Sequence, residues 1–279
     1  MYRLANIDGR SAFQFVDEPA GYVDVARLAG DESLSDPMVA VARYDELHDL
    51  YARASSAERV TGEPGVCVPK PAKVFGIGLN YTSHAAESNM ELPPAPLTFT
   101  KFPSCLAGPT ADVELSGDLV DWEVEIVAVI GKGGRRIATS EAWSHVAGLT
   151  LGQDVSDRRV QMTGTPPQFC LGKSFDGYGP IGPAVVSVDA FADPDDITLW
   201  CDVSGERMQE SRTSNLIFSI PVIIEYLSGI CTLEPGDLIF TGTPDGVGAA
   251  RGRFLKSGDV IDSGADVIGS LRNVCVIGH

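Results

Sequence analysis

The run over residues 122–130 constrains the fold of this chain more than any other segment, because it combines a strand pattern with two acids. Apolar and β-branched residues fill most of the run and Gly131 follows it, which predicts a β-strand ended by a turn. Side chains alternate along a strand, so Glu123 and Glu125 leave one face with their Cα atoms about 6.6–6.8 Å apart. The other face is then apolar, with Trp122, Val124, Ile126 and Ala128.

The two glutamates need a positive partner, because an uncompensated charge on an apolar strand is unfavourable. A third acid, Asp154, follows in a separate segment that reads Gly-Gln-Asp-Val-Ser-Asp. A divalent cation held by all three carboxylates is the simplest partner, and oxygen donors without Cys or His favour Mg²⁺, Mn²⁺ or Ca²⁺ over zinc. The alternative is a solvated face with one glutamate paired to a lysine, which is the commoner arrangement for an isolated Glu-x-Glu pair.

His84 and Glu87 are three residues apart, which brings their side chains together on a helical turn. A carboxylate beside an imidazole fixes its tautomer and increases its basicity, so the pair suits a base that activates water. A structural role for His84 is the alternative. Of the other histidines, His48 and His145 have the surroundings of ordinary helix residues, and His279 ends the sequence.

Further motifs accompany these acids in a fixed order along the chain. They cover residues 77–87, 171–176, 180–183, 233–244 and 246–248. In this combination they resemble the fumarylacetoacetate hydrolase family, from about residue 74 to residue 276. The resemblance implies an α+β, β-rich fold, namely the mixed β-roll of that family's C-terminal part with a small N-terminal domain, and it implies a homodimer.

The resemblance also implies roles for the acids and the histidine. Glu123, Glu125 and Asp154 match acids that bind Mg²⁺ or Mn²⁺ in the family, with Ca²⁺ as a further occupant in crystals. His84 and Glu87 match a His-x-x-Glu pair that activates water on a mobile lid. The substrate of such a site supplies a 2-oxo acid, or its enolate, as the chelator of the cation.

Other motif residues contact the substrate by the same resemblance. Lys173 is expected to point into the pocket, where its ammonium stabilises an enolate or carbonyl oxygen, and a solvated lysine is the alternative. Arg158 and Gln161 frame the substrate carboxylate, while Thr243 adds a hydroxyl and a backbone N–H. The expected substrate-binding residues are Arg158, Gln161, Thr243, Tyr81 and Gly242.

Two positions depart from the family pattern. Arg159 stands where the family usually has an acid, which puts the network on that side in question. One extra residue separates Lys101 from Pro103, and this is expected to alter the pocket rim. Tyr81 and Phe175 are candidates to line the pocket, with packing in the core as the alternative.

The expected reaction is hydrolysis of a C–C bond in an acylpyruvate-type substrate, which expels a pyruvate-like enolate. The same metal site also suits an isomerase of 2-hydroxydienedioates or an oxaloacetate-type decarboxylase, because neither reaction needs an attacking water. The presence of both His84 and Glu87 favours hydrolysis. A non-catalytic protein that binds a metal and a ligand is the remaining alternative.

Composition narrows the partners and the location. A formal charge of −17 argues against nucleic acid and anionic membranes as partners. No run of eighteen or more apolar residues occurs, and the first residues lack an apolar signal core, so a cytoplasmic protein is expected. The six scattered cysteines form no C-x-x-C motif, which favours reduced thiols.

The pattern divides the chain into a small N-terminal domain, 1–66, and a catalytic β-roll domain, 67–279. Helices are predicted over 44–54, over 141–146 with Ser140 as N-cap, and over 220–228 with Gly229 at the end. Strands are predicted over 4–15, 21–25, 74–78, 97–101, 122–130, 181–188, 198–204, 238–241, 260–261 and 269–276.

Overall fold

The computed structural model describes residues 1–16, 21–87 and 91–278. Within these ranges the strands are β1 Arg3–Ile7, β2 Arg10–Gln14, β3 Tyr22–Asp24, β4 Val74–Gly78, β5 Leu97–Thr100, β6 Leu106–Ala107, β7 Val113–Leu115, β8 Val120–Asp121, β9 Val124–Ile130, β10 Val146–Gln153, β11 Ser156–Asp157, β12 Gly179–Val186, β13 Thr198–Val203, β14 Glu206–Arg212, β15 Leu238–Phe240, β16 Val260–Ala265 and β17 Gly269–Ile277.

Helices are short and lie between the strands. The α-helices are α1 Val25–Ala29, α2 Pro37–Ala42, α3 Tyr44–Arg53, α4 Thr82–Glu87, α5 Arg158–Gln161, α6 Phe169–Gly172, α7 Ile220–Ile230 and α8 Gly248–Arg251. The 3₁₀ helices are Glu32–Ser35, Ala54–Ser56, Pro103–Cys105, Thr139–His145, Val188–Ala190 and Thr213–Asn215. The predicted β-rich α+β fold is confirmed. No helix in the described ranges is both long and apolar enough to cross a membrane.

A ten-stranded sheet carries the carboxylates. Its order is β3-β2-β1-β12-β10-β9-β15-β4-β5, with β6 paired to β12, so β9 lies well inside the sheet. In the antiparallel β9–β10 ladder Glu125 is opposite Gly152. Just beyond the ladder, the Asp154 backbone N–H donates to the Glu123 carbonyl at 2.8 Å. This register brings the third acid beside the other two.

The two faces of β9 pack into different cores, as alternation requires. One core contains Trp122, Val124, Ile126, Ala128 and Ile130. Val127 and Val129, on the face of the two glutamates, belong to a second core. The predicted alternation is therefore confirmed, although the strand begins at Val124 and not at Trp122. A smaller five-stranded sheet, β14-β13-β16-β17-β7, completes the roll with the two-stranded pair β11-β8.

The N-terminal strands continue the large sheet. β1 pairs antiparallel with β12, with Leu4 opposite Val185. Leu4 and Phe13 share a core with Val127 and Phe240 from the family-like part of the chain. The division at residue 66 stays a prediction, and the parts on its two sides share a sheet and a core.

The predicted α-helix over 141–146 is wrong in type. Residues Thr139–His145 form a 3₁₀ helix, Ala138 and not Ser140 is at its N-cap position, and Val146 already opens β10. Pairing of Val146 with Ile130 in the sheet outweighs the weak local preference for a helix. The sequence also did not predict β10 as a strand.

The predicted end of α7 at Gly229 is also wrong, because the helix continues to Ile230. Arg135 donates to the Ile230 carbonyl at 2.8 Å and to the Gly229 carbonyl at 3.4 Å. These bonds satisfy carbonyls that a helix end otherwise leaves open, so the helix does not need a glycine cap.

Candidate active site

One cavity of about 460 Å³ lies beside the start of β9. Part of its lining is polar or charged: His84, Glu87, Glu123, Glu125, Arg158, Gln161, Lys173 and Thr243. The remainder is apolar: Ile77, Gly78, Leu79, Phe99, Met162, Pro167, Phe169, Val247, Ala249 and Ala250. The cavity therefore brings together eight of the eleven residues that the sequence predicts for the site.

Glu123, Glu125 and Asp154 form a buried cluster, and the first two line the cavity. They are 6%, 1% and 0% exposed, and one carboxylate oxygen from each lies within 4.8 Å of the others. Oxygens that share a cation at about 2.0–2.6 Å each lie at most about 4.0–5.2 Å apart, so the cluster fits a hard divalent cation. The predicted metal ligands are thus close enough together to act as one site.

Two buried lysines hold the cluster. Lys173 Nζ donates to Glu123 Oε2 at 2.7 Å, to Asp154 Oδ2 at 2.6 Å and to Ser156 Oγ at 2.8 Å. Lys101 Nζ donates to Asp154 Oδ1 at 2.7 Å and to the Lys173 carbonyl. Both side chains are nearly inaccessible to solvent, at 1% for Lys101 and 2% for Lys173. We call Glu123, Glu125, Asp154, Lys101 and Lys173 the carboxylate floor.

Arg158 links the floor to α8. Its guanidinium contacts Glu123 Oε1 at 2.7 Å and Asp121 Oδ2 at 2.7 Å, and it donates to Gln161 Oε1 at 2.9 Å. The same Asp121 carboxylate accepts from the backbone N–H of Gly248 at 2.6 Å. Asp121 therefore fixes Arg158 and the start of α8 together.

The environments of the two glutamates push their pKa values apart. Burial opposes ionisation of Glu123, but Lys173 and Arg158 outweigh it and lower the pKa of Glu123 to about 2. Burial, followed by the charges of Asp154 and Glu123, raises the pKa of Glu125 well above its usual range. A positive charge added beside Glu125 would therefore favour the ionised form of its carboxyl group.

The Glu125 carboxylate is held by a constrained glycine. Gly242 donates its backbone N–H to Glu125 Oε2 at 2.7 Å and has φ +106°. A Cβ at this position would lie 2.7 Å from the Asn80 Cβ. Asn80 in turn donates to the Thr241 carbonyl at 2.7 Å, which ties the segment before α4 to this turn. In the structure Gly242 orients a carboxylate of the floor.

His84 and Glu87 form the predicted pair on α4. His84 Nδ1 and Glu87 Oε1 are 2.8 Å apart, and Glu87 Oε2 accepts from the Gly246 backbone N–H at 2.9 Å. With the carboxylate accepting at Nδ1, the proton resides there and Nε2 is free to accept one. His84 is 8% exposed and lines the same cavity as Glu123, Glu125 and Lys173 of the carboxylate floor.

Of the remaining residues predicted to bind the substrate, two line the cavity and one does not. Gln161 lines the cavity, and no described residue accepts from its amide Nε2. The Thr243 hydroxyl lines the cavity but donates to the Val124 carbonyl at 2.9 Å. Tyr81 is fully buried outside the lining, and its hydroxyl has no partner among the described residues. Burial and then Glu125 raise the pKa of Tyr81.

Sequence reasoning missed Lys101, Asp121 and Gln209 as parts of the site. Lys101 was associated with the rim, although it is buried beneath Asp154. Gln209 accepts from the Val124 N–H at 3.0 Å and donates to Thr243 Oγ1 at 2.8 Å. Asp121 directly precedes the run over residues 122–130, and this position is the one available signal in the sequence.

The fold and this site define an enzyme, because a base and a buried charged cluster line one cavity on a β-roll. The family profile described as "Fumarylacetoacetate (FAA) hydrolase C-terminal" matches residues 73–276. The match covers most of the chain, which therefore belongs to the fumarylacetoacetate hydrolase family.

Curated relatives carry two kinds of name. The chain is 43% identical over 217 residues to "Fumarylacetoacetate hydrolase domain-containing protein 2 homolog" of Dictyostelium discoideum, covering 73% of this chain and 71% of that protein. It is 43% identical over 213 residues to "Oxaloacetate tautomerase FAHD2B, mitochondrial" of Bos taurus, covering 75% of this chain and 68% of the relative.

A solved structure supports the same fold. Maleylpyruvate hydrolase from Sphingobium sp. SYK-6, in complex with manganese(II) ion and pyruvate, superposes with a TM-score of 0.83 at 27% identity. The match covers 99% of this chain and 100% of that one. Family members with this fold are thus named for hydrolysis and for tautomerisation.

Proposed function

We propose that this chain is a metal-dependent hydrolase that cleaves a C–C bond in an acylpyruvate-type (2,4-dioxo acid) substrate. The observation that carries the proposal is that the His84–Glu87 pair lines one cavity together with Glu123, Glu125 and Lys173 of the carboxylate floor. The reaction needs both, because a water must be activated and an enolate must be stabilised.

Glu123, Glu125 and Asp154 would hold the cation, for which we propose Mg²⁺ or Mn²⁺. When bound, the cation supplies positive charge to the 2-oxo acid end of the substrate and to the enolate that leaves. An all-carboxylate donor set supports these ions over Zn²⁺. The complex of the related maleylpyruvate hydrolase with manganese and pyruvate also supports this assignment.

His84 is proposed as the base. With Nδ1 bonded to Glu87, His84 Nε2 takes a proton from a water, and the oxygen forms a bond to C4 of the 2,4-dioxo acid. The C3–C4 bond then breaks, and its electron pair goes to C3 to give a pyruvate enolate and a carboxylic acid. The proton held by His84 returns to C3.

Arg158 and Gln161 are proposed to bind the substrate carboxylate. Four of the five N–H groups of Arg158 are engaged with Asp121, Glu123 and Gln161, which leaves one N–H for a ligand. The Gln161 amide adds a second donor. Lys173 has all three of its N–H groups engaged, so its contribution to the enolate is its charge.

Oxaloacetate tautomerisation is the second candidate. It is favoured by the curated relatives of that name, which are 43% identical to this chain in the case of the Bos taurus protein. Such a reaction moves a proton between C3 and the C2 oxygen, and His84 serves it as well as it serves hydrolysis. The apolar residues of the cavity lining favour hydrolysis, because a four-carbon diacid has no apolar group to contact them.

The test compares three variants on two substrates with Mg²⁺. His84→Ala should reduce acylpyruvate cleavage by about 10²–10⁴-fold with Mg²⁺ binding unchanged, since a general base contributes about that factor. Glu87→Gln should be impaired less. His145→Ala, a histidine outside the cavity, is the matched control and should retain activity.

Two outcomes would change the assignment. Retained cleavage by His84→Ala would remove the base from the mechanism. Rapid ketonisation of enol-oxaloacetate by the wild type, with no cleavage of any acylpyruvate, would replace hydrolysis by tautomerisation.

We also propose a homodimer in the cytoplasm, by analogy with the family. Sedimentation at micromolar concentration should give twice the chain mass. A monomer across that range would contradict the dimer.

A further inference from the structure

The apolar part of the cavity lining differs in chemistry from the carboxylate floor. Phe99, Met162, Pro167, Phe169 and Val247 line it, and we call this set the apolar wall. Phe99 and Phe169 meet edge to face, with ring centroids 6.0 Å apart. The Lys173 Nζ lies 5.0 Å from the Phe99 ring centroid, so Phe99 is where the charged and apolar sides meet.

Every described cation on the cavity lining already has an acidic partner. Lys173 contacts Glu123 and Asp154, Arg158 contacts Glu123, and His84 is bonded to Glu87. Residues 88–90, which follow α4, are Ser, Asn and Met, so they add no positive charge. A carboxylate that packs against Phe99, which is 8% exposed, would therefore lose water without gaining a cation, which is unfavourable.

We propose that the apolar wall binds an uncharged, apolar acyl group, so that the preferred substrates are acylpyruvates with a single carboxylate. This inference rests on the proposed 2-oxo acid site and adds the class of substrate. The 2-oxo acid end binds at the floor, and the acyl chain lies against Phe99 and Phe169. Diacids of the same length are poor ligands, because their second carboxylate faces the apolar wall.

The test uses a pair of ligands matched in length. Butanoylpyruvate and succinylpyruvate both carry a four-carbon acyl group, and only the latter has a carboxylate at its end. Calorimetric titration of His84→Ala with saturating Mg²⁺ measures binding without turnover. We expect butanoylpyruvate to bind about tenfold more tightly or better, and equal or tighter binding of succinylpyruvate would overturn the inference.

A pair of variants localises the effect. Phe169→Lys should bring the affinity ratio to about one or reverse it, because the new ammonium pairs with the second carboxylate. Phe169→Leu keeps the wall apolar and should keep the preference. An unchanged ratio in Phe169→Lys would contradict a subsite at this wall.

The same titrations separate this inference from the proposed hydrolysis. A clear preference for butanoylpyruvate, with no cleavage by the wild type, would contradict hydrolysis and leave the apolar subsite supported. Cleavage of both compounds without a binding preference would contradict only the subsite. Binding of neither compound would overturn both.

Discussion

The carboxylate floor and the apolar wall are built in different ways. Residues of the floor are at most 6% exposed, and their charged atoms contact one another. On the wall, Met162 is 58% exposed and Pro167 is exposed as well. The floor is anchored by the β9–β10 ladder, whereas much of the wall comes from α5, α6 and the segment between them. A buried set of charges is thus combined with a wall whose Met162 and Pro167 are exposed and whose Phe99 and Val247 are buried.

Because of this difference, we expect the floor to determine activity and the wall to determine which substrate is preferred. Substitutions in the floor should reduce folding stability and activity together, because each removes a partner from a buried charge. Substitutions at the exposed wall residues Met162 and Pro167 should change the choice of substrate with small effects on stability, since surface positions usually contribute within about 0.5 kcal/mol.

The largest effect is expected for Asp154→Ala. The change leaves Lys101 and Lys173 without their shared carboxylate, and breaking a buried ion pair costs about 3–5 kcal/mol. Urea unfolding should show that loss, and calorimetry should show no Mg²⁺ binding. Asp118→Ala, at an exposed aspartate outside the cavity, is the control. Equal stability of the two variants would refute the buried cluster.

Lys101→Met should be nearly as destabilising. Its ammonium donates to Asp154 and to the carbonyls of Lys173 and Tyr178, so the variant leaves a buried carboxylate underpaired, at about 3–5 kcal/mol. Saturating Mg²⁺ should restore part of the loss by replacing the charge. Lys256→Met, at an exposed lysine, supplies the comparison. A difference below about 1 kcal/mol between the two variants would make Lys101 dispensable to the floor.

Gly242→Ala tests the backbone that orients Glu125. The position has φ +106°, and the new Cβ would meet the Asn80 Cβ, so we expect a loss of about 1–3 kcal/mol and weaker Mg²⁺ binding. Gly205→Ala separates the backbone strain of a positive φ from the steric contact of the new Cβ. Gly205 has φ +83°, but no atom lies within 4 Å of the added Cβ. Unaltered Mg²⁺ affinity in Gly242→Ala would show that this N–H does not orient the carboxylate.

The smallest effect concerns Cys170, beside the wall residue Phe169. Burial opposes ionisation, but hydrogen bonds from Thr100 and Gln168 outweigh it and lower the pKa of the thiol. Burial raises the pKa of Cys67 to about 11. Iodoacetamide at neutral pH should therefore label Cys170 before Cys67, and Thr100→Val should slow that labelling a few-fold. Equal labelling rates for the two cysteines would contradict this environment.

The sequence predicted the reactive groups of the site better than the residues that hold these groups in place. Glu123 and Glu125 could be assigned to one face because alternation along a strand is a local property. His84 and Glu87 were paired for the same reason, since three residues separate them on a helical turn. The three acids were joined to each other only through the family resemblance and the need for a counter-charge.

The residues that hold the reactive groups in place depend on contacts between segments that are distant in the sequence. Lys101 and Asp154 are 53 residues apart in the sequence and meet only in the folded chain, and no local pattern distinguishes Lys101 from a solvated lysine. β1 pairs with β12 and β2 pairs with β1, although the sequence of this segment predicts a small separate domain. The segment Thr139–His145 forms a 3₁₀ helix and not the predicted α-helix, because Val146 pairs with Ile130 in the sheet. Long-range pairing, and not composition, decides each of these cases.

The most direct test of the central claim is hydrolysis of butanoylpyruvate in H₂¹⁸O, with Mg²⁺ or with EDTA. If the His84–Glu87 pair activates a water above the carboxylate floor, the products are pyruvate and butyrate in equal amounts, with new ¹⁸O in the butyrate carboxylate and none in the pyruvate carboxylate. The reaction should require Mg²⁺ and be lost in His84→Ala. Cleavage in EDTA, or butyrate without ¹⁸O, would contradict the proposed chemistry.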